Sequence, residues 1–236
     1  MKLLKRLFGY AEAQRALARE INWANVYHDS IRGKAWLQEL PLNIGRWAGN
    51  YTFFYLLNRI LADYRPERIL ELGLGESSKF ISTTIQHDLR ESEHCVIEHN
   101  PDWKAAFSQR FTLGNRSKIE LLPLSSRRVD QHEYNHYEGI EELAANWLPD
   151  LVIVDGPIGT PHFSRYDMVL IGESLRKKEE FLFLIDDHER AGEKRSAKAL
   201  VELLRSQDRE VHSHEYCGVA NVFVIATDKY KYAISL

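Results

Sequence analysis

From residue 68 onward, short apolar runs alternate with longer stretches in which apolar positions recur every three or four residues. A short apolar run bounded by turn residues has strand length, whereas three-and-four spacing marks one face of a helix. The runs predict strands over Arg68–Leu72, His94–Glu98, Lys118–Leu122, Leu151–Asp155 and Phe181–Asp186. The clearest helices between them cover Ser77–Leu89, Asp102–Phe111, Phe163–Leu175 and Glu193–Ser206. Helices of that length return the chain across a sheet and lay each new strand parallel to an earlier one. After the fifth strand the rhythm changes. Glu210–Glu215 and Gly218–Thr227 lie too close together for a crossover helix and pair as an antiparallel hairpin.

The first part of the chain reads differently. Residues 11–63 are helical and aromatic-rich, interrupted around Pro41–Gly49, and Phe53, Phe54, Leu56, Leu57, Ile60 and Leu61 form a core-facing stripe. The fold class is therefore α/β: a Rossmann-like, doubly wound, mostly parallel seven-stranded sheet with a C-terminal antiparallel hairpin and an N-terminal helical extension. Residues 1–63 form a helical lead packing on the core, and 64–236 form the sheet domain. A length of 236 residues suits one domain with an extension, and 44% hydrophobic residues supply its core without disulfides or a structural metal.

Charge and cysteine content exclude several classes. With 31 Lys+Arg against 34 Asp+Glu the net charge is -3, and no basic aromatic stripe appears, so nucleic acid is not an expected partner. Two widely spaced cysteines fit reduced thiols and a cytoplasmic location. No run approaches the roughly 18 apolar residues of a membrane span, and Lys5 and Arg6 break the apolar residues of the N-terminus, unlike a secretory signal. Leu3, Leu4, Leu7 and Phe8 at helical spacing suit docking on the same domain or on a second subunit, which would make a homodimer through the lead.

Sheets of this kind bind ligands beyond the carboxyl ends of their strands. The first strand runs into Glu71-Leu72-Gly73-Leu74-Gly75-Glu76-Ser77-Ser78, where two glycines permit a tight turn and Ser77 or Ser78 caps the next helix. Ser78 occupies the third glycine position of a dinucleotide fingerprint, and Phe80 stands where a P-loop needs Ser or Thr. Taken alone, Gly-x-Gly is also the turn of any strand-to-helix connection. The second strand ends in Glu98-His99, placing a carboxylate beside the glycine turn where it can accept both hydroxyls of a ribose. Asp155 follows the fourth strand, and Asp186, Asp187 and His188 follow the fifth. Carboxylates crowded at one edge need a divalent cation, a ligand cation or a proton to offset them, unless they serve as helix caps or are simply hydrated. The histidines show no metal-like spacing with cysteines, which argues against zinc.

These residues resemble the class I S-adenosylmethionine (SAM)-dependent methyltransferases, over roughly Arg68–Thr227. Glu71, Gly73, Gly75, Ser77 and Ser78 match the family's glycine turn, Glu98 with His99 its ribose-binding acid, and the closing hairpin its last two strands. Asp155-Gly156-Pro157, Tyr166-Asp167-Met168 and Phe181–Asp187 are similar to the divalent-metal-dependent O-methyltransferases of the catechol and caffeoyl-CoA type. That likeness implies Mg2+ or another divalent cation on Asp155, Asp186 and Asp187, with Asp187 standing where that family has Asn. Ile158 stands where it has a catalytic Lys, which leaves Asp155, His162 and His188 as candidate catalytic groups. The implied activity is methyl transfer to an oxygen of a small-molecule or sugar acceptor, through in-line attack governed by positioning. Trp47, Tyr51, Phe54, Tyr134, Tyr137 and Trp147 are candidate walls for the acceptor, although aromatic residues at such spacing also build cores. An NAD(P)-dependent oxidoreductase and a non-catalytic nucleoside-binding or assembly protein are the competing readings.

Overall fold

The computed structural model describes residues 2–45, 48–175 and 180–236, with side chains from residue 10 onward. Trp47 and the side chains of Leu3, Leu4, Leu7 and Phe8 lie outside the described residues. Three helices come first: α1 (Lys2–Ser30), α2 (Ala35–Gln38) and α3 (Tyr51–Tyr64). Then follow β1 (Arg68–Leu72), α4 (Glu76–His87), β2 (Glu93–Glu98), α5 (Pro101–Ser108) and β3 (Ser117–Leu121). The middle of the chain holds β4 (Leu124–Val129), β5 (His132–Tyr137), α6 (Ile140–Trp147), β6 (Leu151–Val154) and α7 (Asp167–Ser174). Last come β7 (Leu182–Ile185), α8 (Ala191–Ser206), β8 (His212–Tyr216), β9 (Val222–Ala226) and a 3-10 helix (Asp228–Ser235).

Seven strands form one sheet in the order β3-β2-β1-β6-β7-β9-β8. The contacts β3–β2–β1–β6–β7 are parallel, while β9 runs antiparallel between β7 and β8. The alternation of side chains along each strand sorts the core onto two faces. Ile69, Leu151, Ile153, Leu182 and Leu184 pack with Phe53, Phe54, Leu57 and Ile60 of α3, Tyr27 of α1 and Phe80 of α4. Leu70, Leu72, Val152, Val154, Phe183 and Ile185 pack with α6, α7 and α8 through Ile140, Met168, Ile171, Leu200 and Leu204. Strands covered on both faces read as continuous apolar runs, which is why the central strands were legible.

The segment after β3, to which the sequence pattern assigns no strand, is an antiparallel hairpin of β4 and β5 that pairs Leu124 with Tyr137 and Val129 with His132. Its strands read LSSRRV and HEYNHY, and only Tyr134, His136 and Tyr137 are buried, so no apolar run announces it. The helix expected over Phe163–Leu175 begins only at Asp167. Residues 157–166 form a loop instead, with Arg165 at φ +54°, a left-handed conformation that a helix does not accommodate.

Candidate active site

The chain builds outward from β1 to β2 to β3 and then returns to place β6 against the other side of β1. Strand order therefore reverses between β1 and β6, and the loops leaving these two strands diverge around a crevice. One loop carries Gly73–Ser78, the other Asp155–Pro157.

Gly73 sits at φ +103°, and a Cβ there would lie 3.2 Å from the Gly156 nitrogen. Its glycine identity serves the close approach of the two loops, rather than space for a ligand. Its N–H donates to the Ile97 carbonyl at 2.9 Å, tying the turn to β2. Gly75 behaves oppositely: its backbone is extended, and a Cβ there would meet nothing within 4 Å. It is the glycine that faces open space. Its N–H donates to Ser78 Oγ (3.1 Å), which caps the turn into α4. The Ser77 hydroxyl donates to Glu71, and the other Glu71 oxygen pairs with His94 Nε2 at 2.9 Å. Glu71 is fully buried on the same sheet face as Ile69, so this serine–glutamate–histidine network braces the turn from beneath.

Glu98, at the end of β2, accepts three backbone N–H groups: those of His99 and Asn100 at 2.7 Å on Oε1, and that of Leu74 at 3.3 Å on Oε2. A carboxylate offers about four lone-pair sites, so one acceptor position remains on Oε2, beside the glycine turn. The His99 ring lies next to the Glu98 carboxylate, its Nδ1 3.1 Å from Oε1. Sequence reasoning missed Trp103. This side chain on α5 is 44% exposed, and its indole N–H donates to the Leu74 carbonyl at 2.8 Å. It leaves a flat apolar surface next to Glu98; an aromatic just after a strand-end acid was the signal available.

Across the crevice Asp155, Asp186 and Asp187 converge, each offering an oxygen within 4.8 Å of the others. The offsetting charge comes from the protein. Arg165, its side chain only 6% exposed, places Nη2 2.8 Å from Asp187 and 3.4 Å from Asp155, and donates from Nη1 to the Asp186 carbonyl at 3.2 Å. The second Asp187 oxygen pairs with Arg190 at 2.9 Å. Burial, with Asp187 and Glu71 nearby, lifts the Asp155 carboxyl to about 6 against the pull of Arg165. The donor set suits a divalent ion, but a guanidinium already lies among the carboxylates, and an added dication would face it at close range. The residues present do not fit the metal centre that the resemblance implies.

Asp186 is the strained member of the cluster. Burial, then Asp155 and Asp187, push its pKa well up, and its Oδ1 is buried without a hydrogen-bond partner. An acid whose folded pKa is raised binds more protons folded than unfolded, so it costs stability once the pH exceeds the ordinary Asp range. Asp186→Asn is expected to stabilise the protein at pH 7 by about 1–2 kcal/mol. The gain should vanish below about pH 4. Urea unfolding at both pH values checks this; a less stable variant at pH 7 contradicts it.

The remaining predicted residues have partners elsewhere. His162 stacks on His132, with ring centroids 3.4 Å apart, and touches Phe163. His188 pairs with Glu215 at 2.8 Å and stacks on Phe223 of β9. Neither contacts the glycine turn or the carboxylate cluster through any described bond. Ile158 is 75% exposed. Of the aromatic residues offered as pocket walls, Phe54, Tyr134 and Tyr137 are core residues, and Tyr51 and Trp147 pack against the core half-buried. The Tyr137 hydroxyl reaches the Gly156 side of the crevice, within 2.8 Å of where a Cβ on Gly156 would lie. A groove of about 600 Å³ lies between α1 and β8, the edge strand of the sheet; Glu215, the partner of His188, is among its lining residues, and none of the glycine-turn or carboxylate-cluster residues is.

Solved structures share this architecture. The O-methyltransferase TomG from Streptomyces achromogenes, involved in tomaymycin synthesis and solved in complex with SAM, superposes with a TM-score of 0.57 at 15% identity, covering 92% of this chain and 98% of that one. The fold is the class I methyltransferase fold. An O-methyltransferase from Bacillus cereus in complex with SAH (S-adenosylhomocysteine) matches with a TM-score of 0.53 at 12% identity, over 91% of this chain and 99% of that one. No protein-family model and no curated protein matches the sequence. At these identities the likeness establishes the methyltransferase fold, with its terminal antiparallel strand and its crevice between β1 and β6.

Proposed function

We propose that this chain is a SAM-dependent methyltransferase that methylates an oxygen of a small-molecule or sugar acceptor in the cytoplasm. One observation carries the reading: Gly75 opens onto free space beside the spare acceptor position of Glu98, at the switch point of a sheet whose solved relatives hold SAM and SAH. Glu98 Oε2 would accept a ribose hydroxyl, and Trp103 offers its exposed ring to the purine. When bound, the donor supplies an electrophilic methyl group on a sulfonium. Asp155, at the same crevice with its pKa raised to about 6, is the group best suited to take the acceptor's proton near neutral pH. His162 and His188, held by His132 and Glu215, are less suited to that role. Metal assistance through Asp155, Asp186 and Asp187 is not part of this reading, because the Arg165 guanidinium already lies among them, paired with Asp155 and Asp187. A homodimer through the lead is part of it, with Tyr10, Leu17 and Ile21 exposed along α1.

The oxidoreductase alternative is weakened by the antiparallel β9 inserted next to β7, which a dinucleotide-binding sheet lacks in its simplest form. Calorimetry decides between them. SAH is expected to bind with one site per chain and NADH not to bind; saturable NADH binding with no response to SAH would overturn the proposal.

A further inference from the structure

The acidic cluster at the carboxyl ends of β6 and β7 has a cation of its own. Arg165 reaches it from a loop that is pinned at both sides. Ser164 Oγ donates to Glu193 Oε1 on α8 at 2.7 Å, and Asn135 of the β4–β5 hairpin donates to the Ile158 carbonyl at 2.7 Å. Arg165 and Asp187 both adopt left-handed backbone conformations, at φ +54° and +59°, and their side chains meet at 2.8 Å. Neither is glycine, so each conformation costs energy that the surrounding contacts must hold in place. Burial disfavours the Arg165 charge, yet Asp155, Asp187, Asp186 and Glu193 around it outweigh that and push its pKa up.

We propose that the Arg165 guanidinium is the permanent counter-ion of Asp155, Asp186 and Asp187, occupying the role a divalent metal would fill, so that this site presents Asp155 to the crevice without a bound metal. The inference rests on the proposed methyl-transfer site only for what Asp155 serves; the charge arrangement stands on its own geometry. A guanidinium is always protonated and here lies between two of the carboxylates, so it offsets one unit of the cluster's negative charge at any working pH and independently of metal supply. Arg165 is thereby a positioning residue: it acts through Asp155 and Asp187 rather than on substrate.

The test uses the full chain. Free Mn2+ is followed by electron paramagnetic resonance during titration with wild type and with Asp186→Asn. Wild type is expected to show no Mn2+ site that Asp186→Asn removes, and its melting temperature should be unmoved by MnCl2 or EDTA. One tightly bound Mn2+ per chain, lost in Asp186→Asn, overturns the proposal. Arg165→Met should lower the melting temperature by about 10 °C, because removing one partner leaves buried carboxylates unbalanced. Arg165→Lys should recover part of that loss, and an Arg165→Met protein as stable as wild type again overturns the proposal. If Arg165→Met fails to fold, the Mn2+ comparison decides without it. Failure of SAH to bind wild type refutes the donor reading and leaves the Mn2+ result untouched.

Discussion

Gly75→Val is expected to abolish measurable SAH binding while leaving the protein folded. A Cβ at Gly75 has no atom within 4 Å, and the backbone there is already extended, so the side chain leaves the backbone into open space in the empty protein. What it meets is the space above the turn into α4, next to Glu98 Oε2, where the donor's ribose belongs in the proposed complex. Filling that space should weaken SAH by about 100-fold or more, equivalent to roughly 3 kcal/mol. Calorimetry measures the affinity, and circular dichroism shows whether the variant is folded. A folded Gly75→Val chain with wild-type SAH affinity would move the donor away from this turn.

Two residues earlier, the same kind of substitution should act on stability. Gly73→Ala forces a non-glycine residue to φ +103° and sets its Cβ 3.2 Å from the Gly156 nitrogen and 3.4 Å from the Asp155 carbonyl carbon. Backbone atoms cannot swing aside as a side-chain tip can, so the turn or the Asp155 loop must move. The expected cost is about 2–3 kcal/mol. For a chain of this size that is a fall of roughly 5–10 °C in melting temperature. An unchanged melting temperature would mean that the two loops are not in contact. The glycines of one motif thus separate into a packing role at Gly73 and a ligand-facing role at Gly75, a division their spacing does not reveal.

Much of the fold was legible because it depends on local periodicity. The apolar runs at Arg68–Leu72, Leu151–Val154 and Leu182–Ile185 are strands buried on both faces, and such strands announce themselves in composition. The short spacing between β8 and β9 admitted only antiparallel pairing. Glu71, Gly73, Gly75 and Glu98 could be placed near the crevice because strand ends converge in any sheet of this topology. The β4–β5 hairpin escaped notice because its outward faces are charged, with Arg127 and Arg128 paired to Glu141 and Glu133. Its few buried residues, Tyr134, His136 and Tyr137, gain their packing from partners distant in sequence; His136 Nδ1, for example, lies 2.7 Å from Asp167.

The carboxylate cluster shows the same boundary from the chemical side. That Asp155, Asp186 and Asp187 would crowd together follows from their positions after adjacent parallel strands, and that crowding demanded an offsetting charge. Which charge supplies it was not readable, since nothing around Arg165 in the sequence distinguishes it from the other arginines. By itself the sequence determined the strands, their connections and the edge at which the polar residues gather, because repeating patterns of burial act between near neighbours. Only the tertiary structure decided that a buried guanidinium sits among the acids and that Gly73 packs while Gly75 stays open. Those outcomes depend on through-space distances between loops that no local pattern encodes.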